Sequence, residues 1–544
     1  MGGAGLEAQQ GPADLVVTNA RIYTADRARP RVQALAVRDG RLVFAGSDIE
    51  ARVLAGPTTE IWDLDGATVI PGMVDAHAHL VSLGTALRTV DLVGTRSYEE
   101  VIARVAERAR TMPPGEWIEG RGWDQNDWAN TAMPTHQALS RAVPDHPVYL
   151  RRVGGHAALV NARALALAGI TRETADPTGG RILRSADGGP TGVLLENPAF
   201  NLVRQNIPAP SETELRERIT LAIQTANAHG LTGIHDAGVG RDTIAIYEAL
   251  AREGSFSLRN YVMISSADPK LDSVLKNGPR LAQSERIWVR SIKISADGAL
   301  GSRGAALLEP YSDDPPNLGV LRASRDSIRR VAAKALAYGF QLNVHAIGDG
   351  ANRHALDAFE DALRERPTAD HRFRIEHAQI LDPKDIPRFA ELGVIPAMQG
   401  SHQTSDMYWA VDRLGYDRAL GAYAWRELLD TGVIIPNGSD FPVESSNPLI
   451  SFGAFVTRQD REGWPPGGWF PAQRTTREEA LYSMTLWPAV AGFMEEETGS
   501  LTPGKYADFV VLDRDIMTVP PEEIRETRVL RTVLGGKAVF SATE

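Results

Sequence analysis

The sequence is constrained most by a repeated unit in which an amphipathic helix precedes a short apolar strand. Between residues 327 and 338, apolar residues recur with the spacing of a helix that has one apolar face. Gly339 follows as a helix stop, and residues 340–345 form an apolar, strand-like segment. Helix and strand follow each other again at 215–235 and 356–377. Helices that alternate with buried strands are typical of parallel βαβ units.

Eight such strand-like segments predict an α/β protein with a closed (β/α)8 barrel, because eight βα units close more readily than they form an open sheet. The predicted strands are residues 69–77, 231–235, 258–264, 289–295, 341–345, 373–377, 393–398 and 433–439. About 150 residues separate the first two strands. We therefore predict a barrel domain over 71–496, with an insertion at about 85–210 that covers its mouth.

The two ends of the chain resemble each other and predict a second, smaller domain. Residues 34–45 read as a β-hairpin, and residues 529–540 read as another hairpin across a Gly-Gly turn. Isolated hairpins are only marginally stable, so pairing of the two ends is the economical arrangement. We predict a discontinuous β-sandwich formed by 14–70 plus 497–544, preceded by a disordered lead-in over 1–13.

Charge and composition exclude several classes of function. The formal net charge of -11 does not fit a nucleic-acid surface, and no apolar run reaches the roughly 18 residues of a membrane span. The lead-in has no targeting pattern, so a cytoplasmic protein is expected. The chain contains no cysteine and 12 histidines, which excludes thiolate sites and leaves histidine and carboxylate as the usual metal ligands.

Polar residues at the carboxyl ends of the predicted strands indicate a shared site, since barrel active sites lie at that end. Each residue alone has an ordinary alternative, such as a hydrogen-bonded core histidine, a lysine that neutralises an aspartate, or an aspartate that caps a helix. Their common position favours one metal site over these separate roles. The candidates are His77, His79, Lys293, His345, His377 and Asp440.

The motifs around these residues resemble those of the amidohydrolase superfamily, specifically the amidohydrolase-3 branch of N-substituted formamide deformylase and YtcJ-like metal-dependent hydrolases. The resemblance covers nearly the whole chain. It rests on VIPGMVDAHAH at 69–79, ADGALGSRG at 296–304, NVHAIGD at 343–349, RIEH at 374–377, GSD at 438–440 and GSLTPGKYAD at 499–508.

The resemblance implies a centre of one or two divalent ions, most typically zinc. His77 and His79 would bind the more buried ion, together with Asp440, and His345 and His377 would bind the more exposed one. Lys293 would be carboxylated and bridge both ions in a binuclear centre. Without that modification the ammonium of Lys293 would repel the metal, and a single ion on the histidines and Asp440 becomes the better model.

The activity that the resemblance implies is hydrolysis of an amide-type C–N bond, in an N-acyl or N-formyl amide, by a metal-activated hydroxide. Asp440 would act as a proton shuttle, first as general base and then as general acid. A deaminase or cyclic-amide hydrolase on the same scaffold is the alternative, and a non-catalytic metal- or ligand-binding protein is a third. The partners expected are a small-molecule amide and a second copy of the chain in a homodimer.

Four further residues are predicted to contact the substrate, each with an alternative role. His156 could polarise the carbonyl or pack within a loop, and Arg303 could bind a carboxylate or hold its own Gly-rich loop. Trp123 and Asp124 could line the pocket, although tryptophans in an insertion also form small cores. His235 and His402 are placed near the barrel mouth without being assigned as ligands.

Overall fold

Eight parallel strands in chain order form the barrel of the computed structural model, which describes residues 11–152, 157–281 and 285–543. The short strand Arg280–Leu281 pairs antiparallel with the fourth of them. A bridge between Ala78 and Phe441 joins the last strand to the first, so the predicted (β/α)8 barrel is confirmed. The strands are β1 (Met73–Ala78), β2 (Leu231–Val239), β3 (Arg259–Ser265), β4 (Ile287–Ser295), β5 (Gln341–Ala346), β6 (Arg374–His377), β7 (Ile395–Gln399) and β8 (Asn437–Gly438).

The first barrel strand is shorter than the sequence predicted, and the single strand expected over 69–77 is wrong at Gly72. Residues Thr68–Pro71 pair with a strand from the C-terminal end, whereas β1 begins at Met73 and pairs with β2. A Cβ atom at position 72 would lie 2.1 Å from Oγ1 of Thr232, so glycine permits an approach that no other residue allows. The chain therefore passes from one sheet to another at this glycine.

The chain ends form two smaller sheets, the first from the N-terminal end alone and the second from both ends. The first sheet contains Arg41–Gly46, Ala34–Arg38, Leu15–Thr18 and Glu60–Asp63 in spatial order. The second contains Lys537–Ser541, Val529–Leu534, Phe509–Leu512, Thr68–Pro71, Arg21–Tyr23 and Arg31–Val32. Leu35, Val69 and Phe509 are buried in one core that draws on both sheets, which confirms the discontinuous β-sandwich.

The predicted lead-in over 1–13 is too long at its C-terminal end. Ala13 is buried, and its amide donates a hydrogen bond to the carbonyl of Leu54 at 2.8 Å. Residues 1–10 lie outside the described residues, so for them the lead-in stays a prediction.

Helices connect the barrel strands, and their ends follow the local sequence. In Arg325–Tyr338 the side chain of Ser324 accepts from the amide of Ser327, and Gly339 ends the helix with a φ of 74°. No helix within the described ranges is long and apolar enough to cross a lipid bilayer. Other helices of this part of the chain are Glu212–Ala228, Arg241–Arg252, Leu271–Lys276, Asp349–Glu365, Ile386–Leu392, Gly400–Asp406, Ala410–Leu414, Tyr416–Ala419, Trp425–Asp430, Pro448–Thr457, Arg477–Ser483, Leu486–Ala491 and Pro521–Ile524.

Residues 81–219 form a separate compact unit in the region of the predicted insertion. Its six-stranded sheet contains Arg181–Arg184, Pro190–Leu195, Ala157–Val160, Val148–Arg152, Ile118–Trp123 and Val90–Asp91. Its helices are Tyr98–Ala109, His136–Ala142, Ala162–Leu167 and Glu196–Arg204. That this unit covers the barrel mouth stays a prediction.

A buried ion pair ties the amino end of β3 to the strand that returns from the barrel. Nε and Nη2 of Arg259 donate to the two carboxylate oxygens of Asp508 at 2.6 and 2.9 Å. The ring of Tyr506 covers the guanidinium, with its centroid 3.6 Å from Cζ. Such a bidentate contact satisfies both charges only while both partners are present.

We expect Asp508→Asn to lower the free energy of unfolding by about 3–5 kcal/mol, because Arg259 would keep a buried charge without its counterion. Denaturant unfolding measures the change. The control is Asp242→Asn, which removes an exposed ion pair with Lys270 and should cost about 0–1 kcal/mol. Equal losses in the two variants would show that the buried pair does not stabilise the junction.

Candidate metal centre

Side chains from five barrel strands meet at the carboxyl edge of the central sheet. Because all eight strands are parallel, residues at the strand ends share one end of the barrel. They line a cleft of about 670 Å³. His77 lies in β1 and His79 just beyond it, Lys293 in β4, His345 in β5, His377 at the end of β6 and Asp440 just beyond β8.

The potential ligand atoms of these side chains lie close together. A ring nitrogen of His77, a ring nitrogen of His377 and a carboxylate oxygen of Asp440 are all within 4.8 Å of one another. Nε2 of His79 lies 3.0 Å from Oδ1 of Asp440. The ring of His345 packs against that of His377, with centroids 4.5 Å apart. The spacing suits a metal centre that these residues share.

Lys293 reaches the same cluster from β4. Its Nζ lies 3.0 Å from Nε2 of His77. Burial lowers the pKa of Lys293 to about 8, although the carboxylates of Glu376 and Asp440 oppose this shift. A buried lysine of lowered pKa holds more of the neutral amine, which is the form that can be carboxylated. Carboxylation itself stays a prediction.

Burial keeps most of the imidazoles neutral. It lowers the pKa of His77 and His377 well below the ordinary value, and it lowers that of His345 to about 3. His79 differs, because the carboxylate of Asp440 outweighs burial and raises its pKa. A neutral imidazole has the free lone pair that a metal ligand needs.

Two of the candidate ligands sit on backbone that turns sharply. His377 has a φ of 77° and Asp440 a φ of 58°, both in the left-handed region that non-glycine residues seldom adopt. The Asp440 amide donates to the carbonyl of His77 at 2.8 Å, and the His79 amide donates to the carbonyl of Phe441 at 3.0 Å. These two hydrogen bonds hold β1 and the segment after β8 together. Strained backbone of this kind commonly occurs at functional sites.

Acceptors behind the histidine rings define which nitrogen faces the cleft. Nδ1 of His77 lies 2.5 Å from Oε2 of Glu376, and Nδ1 of His377 lies 2.7 Å from Oε1 of Gln399. Nδ1 of His79 lies 2.9 Å from the carbonyl oxygen of Ala237. Each acceptor favours a proton on Nδ1, which leaves the lone pair on Nε2. Oriented imidazoles of this kind are typical of metal sites.

A buried ion pair lies beneath His77. Arg374 and Glu376 are both fully buried, and Nε of Arg374 is 2.8 Å from Oε1 of Glu376. Nη2 of Arg374 donates to the carbonyl of Ala76 at 2.8 Å. Its Nη1 lies 2.7 Å from Nδ1 of His235. The sequence placed His235 near the barrel mouth, but the structure buries it against this guanidinium.

Asp75 joins the first and last strands of the barrel beneath the cleft. Its carboxylate accepts from the amides of His77 and Ser439, and the hydroxyl of Ser439 donates to Oδ2 at 2.6 Å. Burial raises the pKa of Asp75 to about 7, although these hydrogen bonds oppose the shift. The carboxyl group therefore fixes the position of the strands that carry His77 and Asp440.

The donor set fits a divalent metal ion. Among the described residues, Nε2 of His345 and Nε2 of His402 are buried and make no hydrogen bond. Buried polar atoms usually have a partner, and a cation would supply one. Neutral imidazoles with an aspartate and no thiolate are ligands that zinc-like catalytic ions accept.

Arg303, for which the sequence left a carboxylate-binding and a loop-holding role open, forms an ion pair near its own loop. Its Nε and Nη2 donate to the carboxylate of Asp313 at 3.1 and 2.9 Å. The residue has a φ of 55° within its loop. The structure therefore favours the loop-holding role for Arg303 over the carboxylate-binding role.

Three other predicted substrate contacts belong to the region of the insertion. Trp123 is buried in the core of the 81–219 unit, and its Nε1 donates to the carbonyl of Leu150 at 3.0 Å. Asp124 forms an ion pair with Arg152 at 2.5 Å. His156 lies outside the described residues. Substrate contact by these three residues stays a prediction.

Several residues around the centre were not assigned from the sequence. Arg374 and Glu376 alternate along β6, and two charges inside an otherwise buried strand are the signal that could have identified them. Gln399 at the end of β7 carries no such signal. His402 stacks on His377 with ring centroids 5.7 Å apart, and its Nε2 lies 3.9 Å from Oδ2 of Asp440.

We expect protein purified without chelators to contain at least one divalent ion per chain. His77→Asn should lose most of that ion, because an inward-facing nitrogen is removed. Elemental analysis by mass spectrometry measures the stoichiometry. The control is His136→Gln, whose ring lies in the 81–219 unit and contacts Ser140, and it should keep the ion. Less than one ion in the wild type would contradict the metal centre.

We expect Glu376→Gln to weaken metal binding by about 10- to 100-fold, because the acceptor behind His77 loses its charge. Competition with a chromophoric chelator measures the dissociation constant. Gln399→Leu removes the acceptor behind His377 without leaving a buried charge, so a similar loss is expected there. The control Glu365→Gln alters an exposed partner of Arg329. Unchanged affinity in both acceptor variants would refute the orienting role.

Comparisons with known proteins agree with this geometry. A family model described as the amidohydrolase family, Amidohydro_3, matches residues 60–540. Putative amidohydrolase YtcJ of Bacillus subtilis (strain 168) is 33% identical over 95% of this chain and 98% of the relative. N-substituted formamide deformylase of Arthrobacter pascens is 31% identical over 97% and 99%. A crystal structure of an uncharacterized metal-dependent hydrolase from Pyrococcus furiosus has a TM-score of 0.77 and 30% identity, covering 93% of this chain and 100% of that chain.

Proposed function

Because the chain belongs to the amidohydrolase family of metal-dependent hydrolases, we propose that it hydrolyses an amide-type C–N bond in an N-acyl or N-formyl amide. The observation that carries the proposal is the placement of Asp440 among the metal-competent histidines in an open cleft. The similarity to a formamide deformylase over nearly the whole chain supports the bond type. Fold alone would leave the chemistry open, since barrels of this kind support many reactions.

The metal ion, proposed to be zinc, would be held by His77, His79, His345, His377 and Asp440. When bound, the ion would polarise a carbonyl oxygen and lower the pKa of a water molecule to about 7. Lys293, if carboxylated, would add oxygen ligands and allow a second ion. The buried amine beside His77 is the observation that supports this binuclear form.

Asp440 is the group proposed to move the proton. Its carboxylate lines the cleft, with Oδ1 3.0 Å from Nε2 of His79 and Oδ2 3.9 Å from Nε2 of His402. Asp440 would take a proton from the attacking water and return it to the nitrogen that leaves. The hydrogen bond from its amide to His77 holds the residue in place while its carboxylate gains and loses the proton.

The test is a metal-replete activity screen of N-formyl, N-acyl, aryl and cyclic amides, with detection of the amine, the acid and ammonia as separate products. Release of an amine and an acid from a linear amide is the expected result. Ammonia release or ring opening alone would favour the deaminase or cyclic-amide alternative. If none of the compounds yields a product, the non-catalytic binding role is favoured.

We expect Asp440→Asn to lower kcat by about 10²- to 10⁴-fold, because proton transfer would be lost. Metal content is measured on the same sample, so that loss of the ion is separated from loss of the proton transfer. The control is Asp412→Asn, an exposed acid on the surface, which should keep wild-type activity. Full activity of Asp440→Asn would contradict the proposed role.

A further inference from the structure

Arg322 adds a positive charge to the cleft above the metal centre, whereas the protein as a whole is acidic. The chain carries a formal net charge of -11, with 69 acidic and 58 basic residues. Among the described residues that line the cleft, Arg322 is the charged side chain that is not a candidate metal ligand. A bound divalent ion would add further positive charge. A cleft of this sign attracts anions and disfavours cationic substrates.

Arg322 is held at the end of β4 by its backbone. Its amide donates to the carbonyl of Ala296, directly after β4, at 2.7 Å. Two residues later, Ser324 caps the helix Arg325–Tyr338. Both anchors lie within two residues of Arg322, so its backbone is fixed while the side chain lines the cleft.

The guanidinium of Arg322 makes no hydrogen bond or ion pair with any residue that the structure describes. Neighbouring arginines are engaged, since Arg303 pairs with Asp313 and Arg325 pairs with Asp361. Arg322 therefore keeps all five of its donors available at the wall of the cleft. A planar fork of N–H groups matches a carboxylate in two parallel hydrogen bonds.

Hydroxyl groups lie on the same wall, at the ends of β3 and β4. Ser266 directly follows β3, and its amide donates to the carbonyl of Lys293 at 2.8 Å. Ser295 ends β4 and is paired in register with His345. Val443, beyond β8, lines the cleft as an apolar residue. Arg322 and these serines therefore lie on the β3 and β4 side of the cleft, and Val443 lies beyond β8.

We infer that Arg322 binds a carboxylate carried by the substrate, so that the amides hydrolysed here are N-acylated amino acids. This inference rests on the proposed amide hydrolysis and names its substrate class. In the reaction, water adds its hydroxyl to the acyl carbon and its proton to the nitrogen as the C–N bond breaks. The carboxylate on Arg322 is unchanged throughout. One free guanidinium suits a singly charged carboxylate better than a doubly charged phosphate ester.

The kinetic test compares amides that differ only in this carboxylate. N-formyl derivatives of phenylalanine, leucine and alanine, in both configurations, are each paired with the N-formyl amine that lacks the carboxylate. The metal-loaded wild type should prefer the carboxylate member of a pair in kcat/KM by at least about tenfold. In Arg322→Gln that preference should fall by about 10- to 100-fold, since a charged hydrogen-bonding partner is lost.

A conservative variant and a control variant accompany this comparison. Arg322→Lys keeps the charge without the planar fork, so an intermediate preference is expected. Arg330→Gln removes an exposed arginine that pairs with Asp326, and it should keep the wild-type preference. An unchanged preference in Arg322→Gln, or a wild type that prefers the uncharged amides, would overturn the inference.

A binding measurement separates this inference from the proposed function. Calorimetry on the metal-loaded wild type and Arg322→Gln compares phenylalanine with 2-phenylethylamine, neither of which is hydrolysed. Binding of phenylalanine that depends on Arg322 supports the carboxylate site, even if the screen detects no amide hydrolysis. Hydrolysis of both members of a pair without dependence on Arg322 leaves the proposed function in place and refutes this site. If phenylalanine binding does not depend on Arg322 and no amide is hydrolysed, both proposals are refuted.

Discussion

The contact between the buried carboxylate of Glu376 and Nδ1 of His77 is the interaction on which the metal centre depends. At 2.5 Å it sets the proton on Nδ1 and turns Nε2 towards the other ligands. Glu376 is itself paired with Arg374 inside the barrel. A buried ion pair contributes little net stability, and it is costly once either partner is removed. In this barrel the ion pair instead holds the imidazole of His77 in one orientation.

Closure of the barrel is the second constraint, because it brings the first and last strands into one site. Asp75 accepts hydrogen bonds from both strands, and the amide of Asp440 donates to the carbonyl of His77. The left-handed φ of Asp440 turns its carboxylate into the cleft at this seam. Residues more than 360 positions apart in the sequence are thus brought together at one site. The metal centre therefore depends on closure of the barrel.

Strand order and the carboxyl ends of the ligand-bearing strands could be predicted from the sequence, because helix spacing, glycine stops and strand-end histidines are local patterns. Other strand limits differ, since β2 extends to Val239 and β8 is only Asn437–Gly438. The break at Gly72 could not, since it depends on how closely Thr232 approaches from β2. Glu376 was visible as part of a motif but gained a role only from its distance to His77. The roles of Arg303 and Arg322 also depend on spatial contacts that the sequence does not show. Both are arginines near the end of β4, and only their partners distinguish a loop anchor from a free cation.

The strand-end side chains are expected to bind a metal ion through Nε2 of the histidines. Anomalous diffraction from crystals of the metal-loaded protein, collected on both sides of the zinc absorption edge, tests this binding most directly. We expect a peak within bonding distance of Nε2 of His77 or His377 and of the carboxylate of Asp440. We also expect Glu376 and Gln399 to remain bonded to the Nδ1 atoms of those rings. An anomalous peak at another position, or a ring that binds the ion through Nδ1, would contradict metal binding through Nε2.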